Sequence, residues 1–306
     1  MRILFFTGKG GVGKSTMAAA SAWQLSQQHR VLIVSLDPAH NLGDIFKVVL
    51  CDKKHRFASG LYLKEIDLQK RSKSYLRREI NVLSNTYRYL QTLNLDQCFS
   101  VLQYSPGIEE YALLTSIEET IRDEKNFDYI IFDTPPTGLT LRFLALPRVT
   151  VTWIERLREI RRKILEKRYT IVKVRGCEKE TTVLKYDPED DEVLKRLNKM
   201  NDNYQSLTTV LQSEACSVVL VFNPDVLSLR ESQRLIQGLR DLNLPLGLLI
   251  DNKVTEENRP MAEQVEESIR SMAPNVPLQQ VSLVKALSSD GGKSLYDIPE
   301  NIISML

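Results

Sequence analysis

Five short runs of the chain are apolar at nearly every position. They lie at residues 3–6, 31–34, 129–132, 218–222 and 246–250. Runs that are apolar without alternation are typical of strands buried on both faces, as in a parallel sheet covered by helices. Amphipathic segments between them predict helices at about 14–28, 229–241 and 257–272. The pattern therefore predicts an α/β fold with a mainly parallel sheet.

Two regions depart from this succession of apolar runs and amphipathic segments. Residues 69–125 show helical spacing, broken by a loop near residues 105–107 and followed by a second helix. Residues 150–215 predict two helices around a hairpin, whose alternating strands are 169–174 and 181–186 with a turn near Gly176. We interpret both regions as insertions that form a mostly helical subdomain within a single domain spanning 1–306.

Composition excludes several classes of protein. The 306 residues are 42% hydrophobic, and 41 Lys and Arg face 39 Asp and Glu, for a formal net charge of +2. Such a balance gives no overall field that favours nucleic acid, so we expect no nucleic-acid partner. No stretch approaches the roughly 20 apolar residues of a membrane helix, and the N-terminus does not have the pattern of a signal peptide. We expect a cytoplasmic protein.

A phosphate-binding motif follows the first apolar run directly. Gly8, Gly13, Lys14 and Ser15 satisfy the pattern GxxxxGK[ST], in which glycines turn backbone N–H groups toward phosphates at the start of a helix. Lys14 is expected to reach the β- and γ-phosphates of ATP, and Ser15 to place its hydroxyl on Mg²⁺. The predicted nucleotide-binding stretch consists of Gly8, Lys9, Gly10, Gly11, Val12, Gly13, Lys14, Ser15 and Thr16.

Two further apolar runs end in candidate catalytic residues. Asp37 follows the second run, where it either orients the attacking water or forms a turn before Pro38. Asp133 ends the third run and is expected to hold the magnesium ion through its water shell. Gly138 is expected to offer a backbone N–H to the γ-phosphate. Three strand ends thus converge on one magnesium nucleotide.

Several motifs together resemble the ArsA/Get3 family of deviant P-loop ATPases. They are GKGGVGKST, DPAHNLGD, SPGIEE, DTPPTGLTLRFLALP, LSLRESQRLIQGL and Asp251-Asn252-Lys253. The resemblance extends over nearly the whole chain and is weakest in the inserted subdomain. It implies an ATP hydrolase in which ATP closes a homodimer and energises the transport or handling of a cargo.

The resemblance also implies roles for individual residues. Lys9 matches a signature lysine that crosses the dimer interface to the phosphates of the opposite subunit. Asp37 matches the catalytic aspartate of switch I, and residues 133–138 match switch II. Asn252 falls where the family recognises adenine. Asp225 stands where an acidic residue contacts nucleotide, although locally it is also a candidate cap for a helix beginning near residue 228.

The chain departs from the family pattern at three places. Leu139 replaces a histidine usual in switch II, and Pro135 replaces an alanine. The CxxC pair that binds zinc between subunits in eukaryotic Get3 is absent after Asn252. We expect hydrolysis to survive these differences, and a dimer, if one forms, to depend on nucleotide and protein contacts. The sequence leaves open how switch II signals to the subdomain.

The cargo is open between alternatives. A metalloid pump would need cysteine ligands, and Cys98 and Cys177 are the nearest candidates, although neither stands where that branch places its ligands. A chaperone for membrane-protein clients would need a flexible apolar groove, but residues 151–187 contain no methionine and are densely charged. A nucleotide-dependent regulatory dimer without significant turnover is the third alternative. The partners considered are a membrane transporter and a hydrophobic client protein.

A basic segment stands out within the second insertion. Seven Arg and Lys residues lie between 156 and 168, alongside apolar residues at helical spacing from Trp153 to Ile164. A basic amphipathic helix of this kind can dock on an acidic partner or a membrane surface. We favour the alternative, a solvated outer face with core contacts beneath it.

Overall fold

The computed structural model describes residues 1–39, 41–86, 105, 107–175, 187–283 and 295–305. Over these residues one eight-stranded sheet forms, with strands in the order β3-β4-β2-β5-β1-β6-β7-β8. The strands are β1 (Arg2–Thr7), β2 (Val31–Ser35), β3 (His55–Arg56), β4 (Leu61–Glu65), β5 (Tyr129–Asp133), β6 (Cys216–Phe222), β7 (Leu246–Val254) and β8 (Leu278–Ser282). Neighbouring strands are parallel except for the edge pair of β3 and β4. The predicted α/β class is confirmed.

Helices cover both faces of the sheet. They are α1 (Lys14–Leu25), α2 (Asn41–Phe46), α3 (Leu68–Thr86), α4 (Ile108–Asp123), α5 (Thr137–Arg175), α6 (Glu192–Leu211), α7 (Val226–Asp241) and α8 (Arg259–Met272), followed by a short 3-10 helix at Ile302–Met305. The three helices predicted between the apolar runs are confirmed, with small differences at their ends.

The strands are apolar throughout because each faces two hydrophobic cores. In β1, Ile3 and Phe5 contribute to the core beneath α4, α7 and α8, whereas Leu4 and Phe6 contribute to the core beneath α1 and α2. All four side chains are buried. Successive side chains of a strand point to opposite faces, so an uninterrupted apolar run is what a doubly covered strand requires. The central strand β1 carries the phosphate-binding motif at its carboxyl end.

The two predicted insertions contain long helices that pack on one another. Contacts join α3 to α4, α4 to α5, and α5 to α6. Between the last two, the Arg161 guanidinium donates to both carboxylate oxygens of Asp191 at 3.1 and 2.7 Å. Asp191 also caps α6 by accepting from the Leu194 N–H. The helical content predicted for this region is confirmed; its treatment as two insertions into one domain stays a prediction.

The predicted hairpin is wrong in its first strand. Residues 169–174 belong to α5, which continues as one helix to Arg175. The alternating sequence misled because Ile171 and Val174 also fit helical spacing after Ile164. The second predicted strand, 181–186, lies outside the described residues. In the described part of the chain, no helix carries an apolar stretch long enough to cross a membrane.

Candidate functional site

The loop between β1 and α1 has the glycine geometry that a phosphate cradle needs. Gly8, Gly11 and Gly13 all have positive φ, at 152°, 81° and 94°. A Cβ at Gly8 would overlap the carbonyl oxygen of Val221, and one at Gly13 would overlap the Asn252 amide. Side chains are therefore excluded at both positions by space as well as by backbone conformation. Gly13 immediately precedes α1, so the loop leads into a helix N-terminus that attracts anions.

Lys14 lies folded inside this loop. It is only 5% exposed, and its ammonium donates to the Lys9 carbonyl at 3.3 Å. Burial lowers the pKa of Lys14, while the carboxylates of Asp133, Asp37 and Glu231 act against that shift, in decreasing order. A buried cation that bonds to a single carbonyl is poorly compensated. An anionic phosphate in the loop would supply the missing counter-charge.

Asp133 is the buried carboxylate opposite Lys14. Its side chain is fully buried at the end of β5, and neither oxygen accepts a hydrogen bond from the described residues. Burial raises its pKa to about 7, although the nearby Ser15 hydroxyl and the Lys14 ammonium both lower it. Buried carboxylates normally have partners, so this one is arranged for a group from outside the chain. Oxygen ligands of this kind suit a hard divalent cation.

Asp37 lies just past the end of β2, next to this pair. Its side chain is half-buried, and Oδ1 accepts the Ala39 N–H at 3.0 Å, which is the local turn expected before Pro38. Its carboxylate is also close enough to affect the pKa values of Lys14 and Asp133. Both sequence interpretations therefore match its position, and the role of Asp37 in catalysis stays a prediction.

Lys9, at the front of the loop, pairs with the start of α7. Its ammonium lies 3.5 Å from Asp225 Oδ1, and the two side chains are 27% and 43% exposed. Asp225 is the N-cap of α7, where it accepts the Ser228 N–H at 2.7 Å. The capping role considered from the sequence is therefore confirmed, while a nucleotide contact for Asp225 stays a prediction. Lys9 is held by a weak, half-exposed pair that a stronger anion can displace.

Asn252 and Lys253 support the loop from β7. Asn252 is buried and donates from Nδ2 to the Val12 carbonyl at 2.7 Å, and the Lys253 ammonium donates to the Gly11 carbonyl at 2.7 Å. These contacts hold the loop against the neighbouring half of the sheet. Lys253 belongs to a motif that was recognised in the sequence, but its contact with the loop was not predicted. Adenine recognition by Asn252 stays a prediction.

The start of α5 contains the predicted switch II. The Thr137 hydroxyl donates to Glu231 on α7 at 2.9 Å. A Cβ at Gly138 would meet no atom within 4 Å, so the structure leaves its backbone accessible to a ligand. Leu139, which replaces the usual histidine, is partly buried against the core. Sequence reasoning missed Glu231, although it lies within the quoted LSLRESQ motif and affects the pKa of Lys14.

The cysteines give no support to a thiolate site among the described residues. Cys216 is buried in β6, where burial raises the pKa of its thiol to about 12, and Cys51 is exposed and free. Cys98 and Cys177, the two candidate ligands, lie outside the described residues. No cluster of three His, Cys, Asp or Glu side chains able to hold a metal was found in the described ranges.

A comparison with protein families agrees with this geometry. The family described as anion-transporting ATPase, ArsA type, matches residues 1–276. The chain belongs to this family. The match covers the phosphate loop, both switch regions, and α7 with β7, so it includes every described contact of the site. The sequence-based recognition of an ArsA/Get3 ATPase is confirmed.

Relatives of this ArsA-family chain bear two kinds of name. Arsenical pump-driving ATPase 2 of Aquifex aeolicus is 33% identical over 84% of this chain and 82% of its own length. Arsenical pump-driving ATPase 1 of the same organism is 32% identical over 84% of this chain, but over only 64% of its own length. ATPase GET3C of Arabidopsis thaliana is 30% identical over 82% of this chain and 66% of its own length. The chain thus spans less than two thirds of the latter two relatives.

Proposed function

We propose that this ArsA-family chain hydrolyses ATP in a magnesium-dependent reaction that closes and opens a homodimer. The observation that carries the proposal is a pair of buried ionisable side chains with few polar partners, Lys14 and Asp133, at the carboxyl edge of the sheet. Ligands of open α/β sheets bind at this edge. Triphosphate supplies the anion that Lys14 lacks, and a divalent cation supplies the partner that Asp133 lacks.

The residues present fit a magnesium ion. Ser15 lies in the first turn of α1 and would offer its hydroxyl, and Asp133 would offer a carboxylate through the water shell of the ion. When bound, the cation neutralises charge on the β- and γ-phosphates. Ionisation of Asp133 is then favoured, because a nearby positive charge lowers the pKa of a carboxyl group.

The chain's own residues perform the remaining work by positioning. Lys14 turns from the Lys9 carbonyl to the phosphates, and the backbone N–H groups from Gly8 to Thr16 surround them. Asp37 orients water for attack on the γ-phosphorus, and the Gly138 N–H contacts a γ-phosphate oxygen. Catalysis rests on alignment and charge neutralisation, with no covalent intermediate on the protein.

The position of Lys9 supports the proposed homodimer. Its weak pairing with Asp225 leaves the ammonium near the surface, where it can exchange that carboxylate for the phosphates of a second copy. We expect Asp225, which pairs with Lys9, and Asn252, which holds the Val12 carbonyl, then to contact the nucleotide. The relatives' names point to two cargo classes, so the cargo stays open between an anion and a membrane-protein client; localisation in the cytoplasm also stays a prediction.

The test combines two variants with one control. We expect Lys9→Ala to lose both ATP-driven association, measured by light scattering, and most hydrolysis, while Lys125→Ala, an exposed lysine on another surface, keeps both. Asp37→Asn should retain ATP binding and association but lose turnover by about 10²-fold or more. Full activity and association in Lys9→Ala would refute the dimer. Absence of ATP turnover in the wild-type chain would leave the regulatory-dimer alternative.

A further inference from the structure

The part of α5 after Pro147 exposes apolar side chains along one side of the helix. Trp153 is 65% exposed, and Ile160 and Ile164 are 46% and 39% exposed. We call this row the apolar stripe; its members are Val149, Trp153, Leu157, Ile160, Ile164, Ile171 and Val174. Single exposed apolar residues are ordinary, but seven on one helix form a patch that marks an interaction surface.

Helix geometry places the stripe in one sector. At about 100° per residue, its seven members fall within an arc of about 100°. The buried residues Ile154 and Leu165 fall outside that arc, on the side that carries Arg161 and packs on α6. The core contacts expected beneath the basic segment are thus made by a different side of the helix. The stripe itself faces outward.

Most of the charges beside the stripe are positive. Lys167 lies within its arc, and Arg156 and Lys163 lie at or just beyond its edge; all three are exposed. The carboxylates of this helical segment, at Glu155, Glu159 and Glu166, lie outside the arc, but Glu159 forms an exposed ion pair with Arg156 at 2.7 Å. The arc itself holds no carboxylate, and Lys163 and Lys167 give its border a net positive charge.

We propose that the apolar stripe docks α5 flat on an anionic membrane surface. A helix that lies in a bilayer interface combines an apolar face bearing Trp, Leu and Ile with Lys and Arg beside it. The stripe runs for 26 residues, or about 39 Å, without an acidic side chain in its arc. Trp153 lies near one end, and its ring suits the headgroup level.

Charge distinguishes this partner from the other occupants of an apolar face. A second copy docked through the same patch would bring the cations that border it, such as Lys167 and Arg156, close to those of its partner, which is repulsive. A neutral transmembrane helix would gain nothing from the bordering lysines. Anionic headgroups attract each cation near the surface while the apolar residues enter the interface.

The experiment measures binding of the full chain to lipid vesicles. We expect co-sedimentation with phosphatidylglycerol vesicles, little with phosphatidylcholine vesicles, and loss at high salt because counterions screen the cations. Trp153 should also report insertion, since its fluorescence shifts to shorter wavelength in an apolar environment. Trp153→Phe should abolish that shift while retaining binding, because the other tryptophan, Trp23, packs in an aromatic cluster with Phe57 and Tyr296.

Matched variants connect binding to the stripe. Lys163→Gln with Lys167→Gln should weaken vesicle affinity by about tenfold or more, from about 1 kcal/mol per lysine. The control is Lys195→Gln with Lys199→Gln, an exposed pair of the same spacing on α6, which should have little effect. Trp153→Gln with Leu157→Gln should also lose binding, whereas Met261→Gln on α8 should not. All four should keep ATP hydrolysis, which verifies folding.

Four outcomes would overturn the proposal. They are no binding to either vesicle, equal binding to both vesicles, equal loss in control and stripe variants, and binding that none of the variants changes. Two further results would assign the stripe to another occupant. One is a dimer that forms without lipid and that Trp153→Gln dissociates. The other is stripe-dependent binding of a neutral transmembrane peptide by a protein that does not bind vesicles. None of these results depends on the ATPase assignment.

Discussion

The two ends of α5 depart in opposite ways from the usual pattern, in which ionisable side chains are exposed and apolar side chains are buried. Near Thr137, the structure buries charge: Lys14 and Asp133 are almost inaccessible and poorly paired. Toward Arg175, it exposes apolar surface from Trp153 to Val174. Each arrangement costs stability in the isolated chain, and each is relieved by a partner of defined chemistry. Residues that depart from the ordinary burial pattern therefore indicate function more directly than the helices and strands that obey it.

The largest expected effect contrasts two buried carboxyl groups, of which only one faces the nucleotide loop. Burial raises the pKa of Asp133 to about 7, and burial together with Glu266 raises that of Asp251 to about 8. Both groups hold a proton in the folded chain and release it on unfolding above pH about 4. The free energy of unfolding therefore falls as pH rises above about 4. The contribution of Asp133 is lost as pH passes about 7, and that of Asp251 as pH passes about 8. For Asp133 the loss amounts to about 4 kcal/mol.

Urea denaturation between pH 4 and 8, without nucleotide, measures this fall. Asp133→Asn and Asp251→Asn should each remove their own share of it. Magnesium should restore the stability of the wild type near neutral pH and of Asp251→Asn, but not of Asp133→Asn, because a ligand stabilises only the state it binds. Equal rescue of both variants would contradict the metal role of Asp133.

A second contrast compares two lysines whose pKa values burial lowers. Lys14 lies in the loop, and Lys64 lies in β4, away from the site. Lys14→Met should reduce kcat by about 10²–10³-fold, as the loss of one transition-state charge contact does. Lys64→Met should retain turnover. A steady-state ATPase assay decides between them, and comparable losses in both would show that the effect comes from folding.

A third comparison concerns two ion pairs of the same helix. Asp191→Asn keeps a capping side chain for α6 but removes the charge that pairs with Arg161 in a buried site, and should destabilise the chain by about 3 kcal/mol. Burial alone would raise the pKa of Asp191, but Arg161 and the Leu194 N–H outweigh it and lower the pKa. This stabilisation is present above pH about 4 and is lost as pH falls below it.

The control removes the exposed pair instead. Glu159→Gln breaks the contact with Arg156, where both side chains are more than half exposed, and should cost less than about 1 kcal/mol. Thermal unfolding at neutral pH compares the two variants. Similar losses would mean that the attachment of α5 to α6 does not depend on Arg161.

The smallest expected effect lies at the beginning of α5. Thr137→Val removes the hydrogen bond to Glu231 and should cost about 1 kcal/mol of stability. Thr152→Val removes an exposed hydroxyl contact to the Arg148 carbonyl within the same helix and should change stability by less than about 0.5 kcal/mol. Chemical denaturation measures both. Equal values would show that Thr137 does not hold α5 to α7.

The sequence predicted the doubly buried strands well, because their uninterrupted apolar runs arise from burial on two faces. It missed β3, β4 and β8, whose polar positions reflect their places at or near the edges of the sheet. It also predicted a strand at 169–174, since alternation over six residues fits two periods at once. Only the continuation of α5 resolves that ambiguity.

The site was predicted where its residues follow one another along the chain. The loop from Gly8 to Thr16 has a local pattern with a known mechanism, so its glycines could be interpreted directly. The contacts of Lys253 with Gly11 and of Glu231 with Thr137 join residues that are far apart in sequence. No spacing rule reveals such pairs, because only the sheet order brings α7 and β7 beside the loop.

A single helix connects the two ends compared above. At 1.5 Å per residue, the 39 residues of α5 span about 58 Å, so each degree of rotation at Thr137 moves the far end by about 1 Å. A tilt of about five degrees would therefore displace the far end of the apolar stripe by about 5 Å, similar to the 5–10 Å to which an interfacial helix sinks. One helix, with Pro147 in its first third, thus joins the nucleotide site to the surface that carries the stripe.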